Sequence, residues 1–464
     1  MSLLNSLKDL LGEGAVSVSK ADLLTYSRDN LPLTIFHQRQ KKTPYLPDAI
    51  VWPNNYDDVI KILKFANEKK IPIVPYGAGS GVCGGTVPLK GGIIIDLKRL
   101  DKVIAIDEKS LTVTAQAGIN GQILEEALNA RGYTLGHFPA SIYCSTLGGW
   151  LSTKAAGQLS TRYGKIEDMV IAITAVTPTG EIFKNRVVSR TSTGPTLMHL
   201  FIGAEGTLGI ILEAALRIWP YPEHREIRGF MFNAIASGLE AIRLIMRNGL
   251  RPAVVRLYDE KDTSLAMGSL GLKIEKGCLL IIGFEGAKAI VEAEAGEGFK
   301  ICLAQGGKDL GREAGDFWLK HRYDISYKQA EILSEETAVL DTIEVAAIWS
   351  NLNKLYNDVK SVLDNYGYAM AHFSHAYPEG ACIYFTILGE APSEDETEGF
   401  YRKMWDDVMQ TVVNAGGTIS HHHGIGFFKG EWLKKELGSG FDLLRKIKSA
   451  IDPNNIMNPG KLGL

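Results

Sequence analysis

What the chain lacks narrows its class first. No apolar run approaches the ~18–20 residues that a membrane-spanning helix needs. The five cysteines (Cys83, Cys144, Cys278, Cys302, Cys382) form no CxxC pair, which argues against a zinc ribbon, iron–sulfur ligation or a disulfide framework. Neither sign of charge is in excess, with 50 Lys and Arg against 53 Asp and Glu, so nothing asks for nucleic acid or an anionic membrane as partner. The opening stretch Met1 to Gly14 reads as an amphipathic helix and lacks the basic start, apolar core and cleavage site of a signal peptide. Together these absences predict a reduced, cytoplasmic protein, at most peripheral at a membrane. There are no internal repeats and no low-complexity segment.

What is present is ordinary globular material: 464 residues, 45% hydrophobic and 22% charged, enough for two or three domains. Residues 56–69 carry Val59, Ile62, Leu63 and Ala66 at helical spacing, and 71–77 (IPIVPYG) and 91–97 (GGIIIDL) read as strands. SLTVTAQAG (110–118) alternates like a strand and precedes a helix from Gly121 to Arg131; strands are expected again over 168–177 and 209–219. Short strands and helices with many glycines make this half α+β. The pattern changes after Pro220-Tyr221-Pro222. Beyond it the spacing predicts a helix over 234–248, strands at 252–259 and 278–286, helices around 308–334 and 349–366, and strands near 369–377 and 380–389. The expected division is a first domain over 1–222, a second over 223–410, and a C-terminal segment, 411–464, that returns to the active site.

The first chemical signal is PYGAGSGVCGGT (75–86), with glycines at 77, 79, 81, 84 and 85 between two strands. Glycines let backbone N–H groups close around an anion, so the loop fits a pyrophosphate cradle; a flexible surface loop is the plain alternative. It is not a Walker A loop, having no Gly-Lys-Ser/Thr, nor a Rossmann fingerprint, since no helix opens on its last glycine.

Three further segments, HFPASIYCSTLGGWLST (137–153), TRYGKIEDMVIAITAVTPTGE (161–181) and GAEGTLGII (203–211), follow in order. With the loop they resemble the FAD-binding domain of the vanillyl-alcohol-oxidase (PCMH) superfamily. The resemblance implies an α+β fold: a PCMH-type, two-subdomain FAD-binding domain plus an α+β substrate (cap) domain. It assigns cofactor contacts to Pro75, Gly77, Ala78, Gly79, Ser80 and Gly81 at the pyrophosphate, and to Ala140, Ser141, Ser145, Thr146, Gly148, Gly149, Ser152, Thr153 and Ala156 at the adenine, ribose and isoalloxazine. Glu205, Ile211 and Asn458 would lie close by. Covalent members place a histidine in or near the glycine loop; Ser80-Gly81-Val82-Cys83 stands there, so the resemblance implies non-covalent FAD.

The second half carries the reactive residues. In the strand GACIYFTILG, period two puts Cys382, Tyr384 and Thr386 on one face and Ile383, Phe385 and Ile387 on the other. In TISHHHGIG (418–426), an extended backbone would turn His422 away from His421 and His423. A histidine there could move a proton near neutral pH, or the triplet could simply be solvated. Arg256, on one strand face with Val254 and Tyr258, and Arg322, four residues after Trp318 on a helix, suit a bidentate grip on carboxylate or phosphate. As a rule, though, such arginines are plain surface residues.

SHHHGIG, GACIYFTI, the arginine of AVVRLYD and DPNNI are similar to the alkylglycerone-phosphate synthases of the same superfamily. That likeness gives catalytic roles to His422, Tyr384 and Arg256, with His421 and His423 beside them, and an anion-binding role to Arg322. The D-lactate, glycolate and D-2-hydroxyglutarate dehydrogenases share the layout and a W-x-x-x-R helix, but carry a metal-binding GHxGDGNxH strand and a GEHG turn. Here SHAYPEGACIY (374–384) and HHHG stand instead, with only His375 matching the first ligand; His375 is expected, with Arg322, on the substrate side, and no metal is expected there, the alternative being one held by His375 with His422. Two activities follow. One is dehydrogenation of a small anionic 2-hydroxy acid (D-lactate or glycolate type) by hydride transfer to flavin N5. Electrons would then pass to a quinone, an electron-transfer flavoprotein, an iron–sulfur protein or oxygen. The alternative is non-redox alkylglycerone-phosphate synthesis, exchanging acyl for alkyl on dihydroxyacetone phosphate. A flavin-bearing subunit of a larger electron-transfer complex is a third class, and a homodimer is left open.

Overall fold

A computed structural model describes residues 2–269, 276–323 and 329–464. The first half is built on two small sheets. Its organising helix, Tyr56–Lys69, is capped by Asn55, whose side chain accepts the Asp58 N–H at 2.9 Å. Asp57 and Asp58 favour the positive end of the helix. Val59, Ile62, Leu63 and Ala66 are fully buried, the larger three contributing ~1.5–3 kcal/mol each. This helix links the strands Ala49–Val51 and Ile73–Tyr76, which both pair in parallel with Ile93–Asp96. The second sheet is antiparallel throughout, in the order Val103–Asp107, Thr112–Gln116, Ile210–Arg217, Val170–Val176, Ile182–Lys184.

The second half is a seven-stranded antiparallel sheet, in the order Lys308–Gly311, His224–Phe232, Cys278–Gly286, Val254–Tyr258, Gly367–Ala376, Gly380–Glu390, Ala338–Ile348. Alternation along the strands separates its faces. Leu257, Phe373, Ile383, Phe385 and Ile387 share one apolar cluster with helices Ile235–Arg247, Lys288–Ala304, Trp349–Leu363 and Thr397–Asn414. On the other face Val254, Leu279 and Ile281 pack with Trp150, Ile166 and Met169 of the first half. Polar residues on that face stand in register: Tyr258 beside His372, His372 beside Tyr384, Tyr384 beside Glu344.

The chain's end returns to the first sheet. Met457 bridges Ile73, and the Asn458 N–H donates to the Ile73 carbonyl at 2.7 Å. Buried Lys448 donates to the carbonyls of Thr207 and Met457, both at 2.8 Å, and pairs with Asp452.

Most predicted elements stand close to their predicted ends. The helix expected over 308–334 does not form as such. Gly311, at φ +77°, separates a strand, Lys308–Gly311, from a helix, Glu313–His321. A short helix, Gln329–Leu333, follows, with part of the predicted span outside the described residues. The strand Val170–Val176 starts later than expected because a helical turn, Ile166–Met169, precedes it. The long strand Ala338–Ile348 had not been anticipated.

Candidate active site

A cavity of about 1060 Å³ lies between the two halves. One wall is the glycine loop with segments 139–158 and 205–211; the other is the polar face of the seven-stranded sheet with the histidine loop. Of the cofactor contacts expected from sequence, all from Pro75 to Ile211 line it. Asn458 does not: it is buried behind the wall, where its side-chain amide donates to the carbonyls of Gly85 and Glu205 at 2.9 and 2.7 Å. There its amide nitrogen braces the loop, while its Oδ1 is buried without a hydrogen-bond partner.

The glycine wall has features a nucleotide cofactor requires. A Cβ on Gly77 would collide with the Thr146 hydroxyl, and Gly79 holds φ +62° with the Tyr76 hydroxyl where a Cβ would go. The helix Leu147–Thr153, capped by Thr146, starts at this wall. Thr86 Oγ1 and Asp29 Oδ2 border the cavity, buried and without a hydrogen-bond partner. Orphaned buried polar atoms mark places where a ligand or water supplies the missing bond. The volume exceeds the roughly 300–1,000 Å³ of a drug-sized site and suits a dinucleotide with room for substrate.

On the facing wall the period-two reading holds: Tyr384 and Thr386 line the cavity, while Ile383, Phe385 and Ile387 enter the core. Cys382 is buried beside them, its thiol pushed well up by burial. Arg256 lies over the Tyr258 ring at 5.3 Å. Its Nε is buried without a hydrogen-bond partner, and among the described residues no carboxylate stands within ion-pair distance. Arg322 ends the helix Glu313–His321 and lies over the rings of Phe138 and Tyr323, each at 4.8 Å. Both arginines line the cavity.

The histidine triplet departs from the alternation expected of it. The segment is bent, not extended, and His422 and His423 both line the cavity while His421 does not. The physical reason is a pair of buried carboxylates. Glu344 accepts the N–H groups of His421 and His423 (the latter at 3.0 Å), the Ser420 hydroxyl at 2.8 Å and Lys429 Nζ at 3.2 Å. Glu205 accepts the N–H groups of Ile425 and Gly426 at 2.6 and 2.8 Å. Burial raises Glu344, but Lys429, His423 and these donors outweigh it and hold the group at about 2. Burial carries Glu205 up to about 7 against its two N–H donors.

All these imidazoles are held neutral. Burial, then Lys165, takes His421 down to about 3; burial and the neighbouring histidines take His422 well down; His423 lies at about 4, burial outweighing Glu344. His375 is lowered well below its usual value by burial, then His421 and Lys165. A bulge between Ser374 and Ala376 puts it at φ +52°, out of the ladder. There its Nδ1 meets the Ser160 hydroxyl at 2.6 Å and its ring stacks on His421 at 5.2 Å. Tyr384 is raised to about 12 by burial. Donor atoms of Cys382, His421 and His422 lie within 4.8 Å of one another.

Sequence reading missed four participants. Glu344 sat on an unanticipated strand. Lys165, which donates to the His421 carbonyl at 2.6 Å, and the Asp262–His372 pair, 3.2 Å apart, gave only ordinary polar letters. Period two along AMAHFSHAY does put His372 on the face of Ser374, which was the available signal.

Residues 47–185 match the family described as FAD binding domain, and residues 221–462 match FAD linked oxidases, C-terminal domain. The alkyldihydroxyacetonephosphate synthase of Trypanosoma brucei brucei is 32% identical over 451 residues, covering 90% of this chain and 73% of that one. The glycolate oxidase subunit GlcD of Bacillus subtilis is 29% identical over 452 residues, covering 96% and 93%. A solved alkyldihydroxyacetonephosphate synthase superposes with TM-score 0.83 at 29% identity, over 98% of this chain and 84% of that one. In fold alone, p-cresol methylhydroxylase with substrate bound superposes with TM-score 0.83 at 18% identity, over 99% and 96%.

Proposed function

The chain belongs to the FAD-linked oxidases and uses FAD, and from that premise we propose that it oxidises a small anionic 2-hydroxy acid of the D-lactate or glycolate type. The observation that carries this reading is the cavity wall on which Arg256, with no carboxylate partner among the described residues, stands beside neutral imidazoles and Tyr384. A partly buried guanidinium with its Nε unpartnered on a cavity wall is a place for an organic anion, and a neutral imidazole accepts a proton where a charged one cannot. Bound FAD, held without a covalent link since no histidine stands among residues 75–86, supplies a two-electron acceptor. The residues of this chain do the rest. Arg256 and Arg322 hold the carboxylate, Tyr384 donates a hydrogen bond to the substrate oxygen, and a cavity-facing imidazole takes the hydroxyl proton. The electrons leave to a quinone, an electron-transfer flavoprotein, an iron–sulfur protein or oxygen.

One feature favours alkyl exchange on acylated dihydroxyacetone phosphate instead. Beyond the polar wall the cavity is bordered by Leu265, Ala266, Leu279, Ile281, Phe317 and Trp318, an apolar lobe of the kind a fatty chain fills. The synthases among the relatives point the same way. In that reading Arg256 or Arg322 grips phosphate, and Tyr384 and the histidines move the protons of the exchange.

Anaerobic spectroscopy separates the two. D-lactate, glycolate or D-2-hydroxyglutarate bleaches the oxidised flavin band if the chain is a dehydrogenase. No bleaching by any hydroxy acid, with fatty acid released from the acylated phosphate when a fatty alcohol is supplied, overturns that reading in favour of the synthase.

A further inference from the structure

Five imidazoles line the cavity, those of His321, His372, His375, His422 and His423, and the oxidation needs one of them as base. We propose that the base is His372, with Asp262 as the positioning residue that orients it; this rests on the 2-hydroxy-acid reading.

The geometry distinguishes His372 from His375, His422 and His423. A base that accepts a proton becomes a cation, and a buried cation needs a counter-charge. His372 Nδ1 lies 3.2 Å from Asp262 Oδ2, and among the described residues no other cationic group stands within ion-pair distance of that carboxylate. His423 lies 3.5 Å from Glu344, but that carboxylate is already paired with Lys429 and accepts from two backbone N–H groups and Ser420. His422 bonds its Nδ1 to His421 Nδ1 at 3.0 Å, and among the described residues has no carboxylate within ion-pair distance. His375 meets the Ser160 hydroxyl through Nδ1 and, among the described residues, has no carboxylate within ion-pair distance. Of His372, His375, His422 and His423, only His372 has, among the described residues, both an acidic partner not already paired with a lysine and a place on the cavity wall.

The dyad is rigidly built. Asp262 sits in the first turn of the helix Glu260–Ser269 and donates its N–H to Asp259 at 2.9 Å. Asp259 in turn pairs with Lys360 at 3.0 Å and donates its own N–H to the Ala371 carbonyl, one residue before His372. Helix start and strand are thereby fixed opposite one another. The His372 ring stacks on Tyr384 at 4.8 Å and 21°. With Nδ1–H donated to the carboxylate, Nε2 carries the free lone pair, the tautomer a base requires. The substrate O–H bond breaks and its proton moves to Nε2. The carbinol C–H bond breaks with its electron pair, C=O forms, and FAD is the two-electron oxidant.

The charged and titratable groups facing His372 are Arg256 and Tyr258 on one neighbouring strand, Tyr384 on the other, Asp259 and Asp262 at the helix start, and His375 on its own strand. Asp262 raises the affinity of His372 for a proton, against burial and Arg256.

The experiment is anaerobic stopped-flow reduction of the holoenzyme by the hydroxy acids of the panel above, for wild type, His372→Gln, Asp262→Asn and His422→Gln. It is paired with ¹⁵N NMR of histidine-labelled protein. His372→Gln should lower the limiting rate of flavin reduction by roughly 10²–10⁴, with flavin content and the affinity for oxalate, a non-reacting substrate mimic, retained. Asp262→Asn should lower the same rate, move the acid limb of its pH profile to lower pH, and remove the Nδ1–H tautomer seen for His372 in wild type. Wild-type reduction rates in His372→Gln, or a His372 tautomer indifferent to Asp262→Asn, overturn the assignment. A wild-type flavin that no hydroxy acid bleaches overturns the 2-hydroxy-acid reading itself and takes the assignment with it.

Discussion

Glu205 and Gly426, 221 residues apart, are joined directly: the carboxylate of one accepts the backbone N–H of the other at 2.8 Å. Glu205 borders the glycine loop, close behind Gly85, and Gly426 follows the histidine triplet. The cofactor wall therefore holds the histidine loop directly. On the far side Glu344 grips the same loop through the N–H groups of His421 and His423. A loop pinned by two buried carboxylates has little freedom to move its imidazoles, which fixes this side of the cavity wall.

The Glu344–Lys429 pair tests that account through stability. Both side chains are buried, and removing one partner of such a pair strands the other, at a cost of roughly 3–5 kcal/mol. Glu344→Gln should lower the denaturation midpoint accordingly in urea or heat. The sign with pH follows from the depressed carboxylate, from 4.5 to about 2. Its contribution is fully present above pH ~4.5 and is lost as pH falls toward ~2. The wild-type advantage over Glu344→Gln should shrink across that window. An advantage independent of pH there would remove the ion pair from the explanation.

Gly79→Ala tests the cradle. The residue holds φ +62°, and a Cβ there meets the Tyr76 hydroxyl, so alanine must strain the backbone and displace the ring. The variant should purify with sharply less flavin, read as the ratio of visible to ultraviolet absorbance, while its far-ultraviolet dichroism stays that of wild type. Full flavin content would mean that the loop does not approach the cofactor closely.

How much of this was legible in the sequence depended on whether local pattern or distant partners decided the outcome. The helix Tyr56–Lys69 was legible because its apolar spacing, Asn55 cap and acidic first turn all agree. The faces of Gly380–Glu390 were legible because period two is a property of any strand. The triplet 421–423 was not, since its bend is imposed by Glu344 and Glu205, 77 residues from His421 and 220 residues from Ile425. Asp262 and His372, 110 residues apart, meet only because Asp259 ties the helix start to the strand. Asn458, expected at the cofactor, stands behind the cavity wall on Gly85 and Glu205, a position set by chain segments more than 250 residues away.

Arg322→Lys should raise KM strongly with a smaller change in kcat. The guanidinium lies between Phe138 and Tyr323, each 4.8 Å away. These rings hold it flat, and a planar fork meets a carboxylate through two parallel bonds where an ammonium makes point contacts. An unchanged KM would place Arg322 outside the anion site.

Chelators should leave activity unchanged. Cys382, His421 and His422 bring donor atoms within 4.8 Å, but the neighbourhood is unsuited to a cation. Lys165 Nζ bonds the His421 carbonyl at 2.6 Å, and burial pushes the Cys382 thiol well up, away from the thiolate a soft metal needs. Dialysis against EDTA and against 1,10-phenanthroline checks this. Inactivation that added zinc or manganese reverses would establish a metal enzyme.

Tyr384→Phe isolates one hydroxyl. The ring is fixed by stacking on His372 at 4.8 Å and by the edge contact with His423 at 5.6 Å, so phenylalanine keeps the packing and deletes only the donor. Burial holds the phenol up at about 12, which leaves it protonated, a donor and not a base, across the working pH range. A hydrogen bond to an oxygen gaining charge contributes ~1.5–3 kcal/mol, or about ten- to hundredfold in rate. The limiting rate of flavin reduction should fall by that factor with flavin content unchanged and with no new limb in the pH profile below 10. Loss of flavin would make Tyr384 a structural residue. A new acidic limb would mean that the phenol had been setting the protonation of His372 or His422, its stacked neighbours.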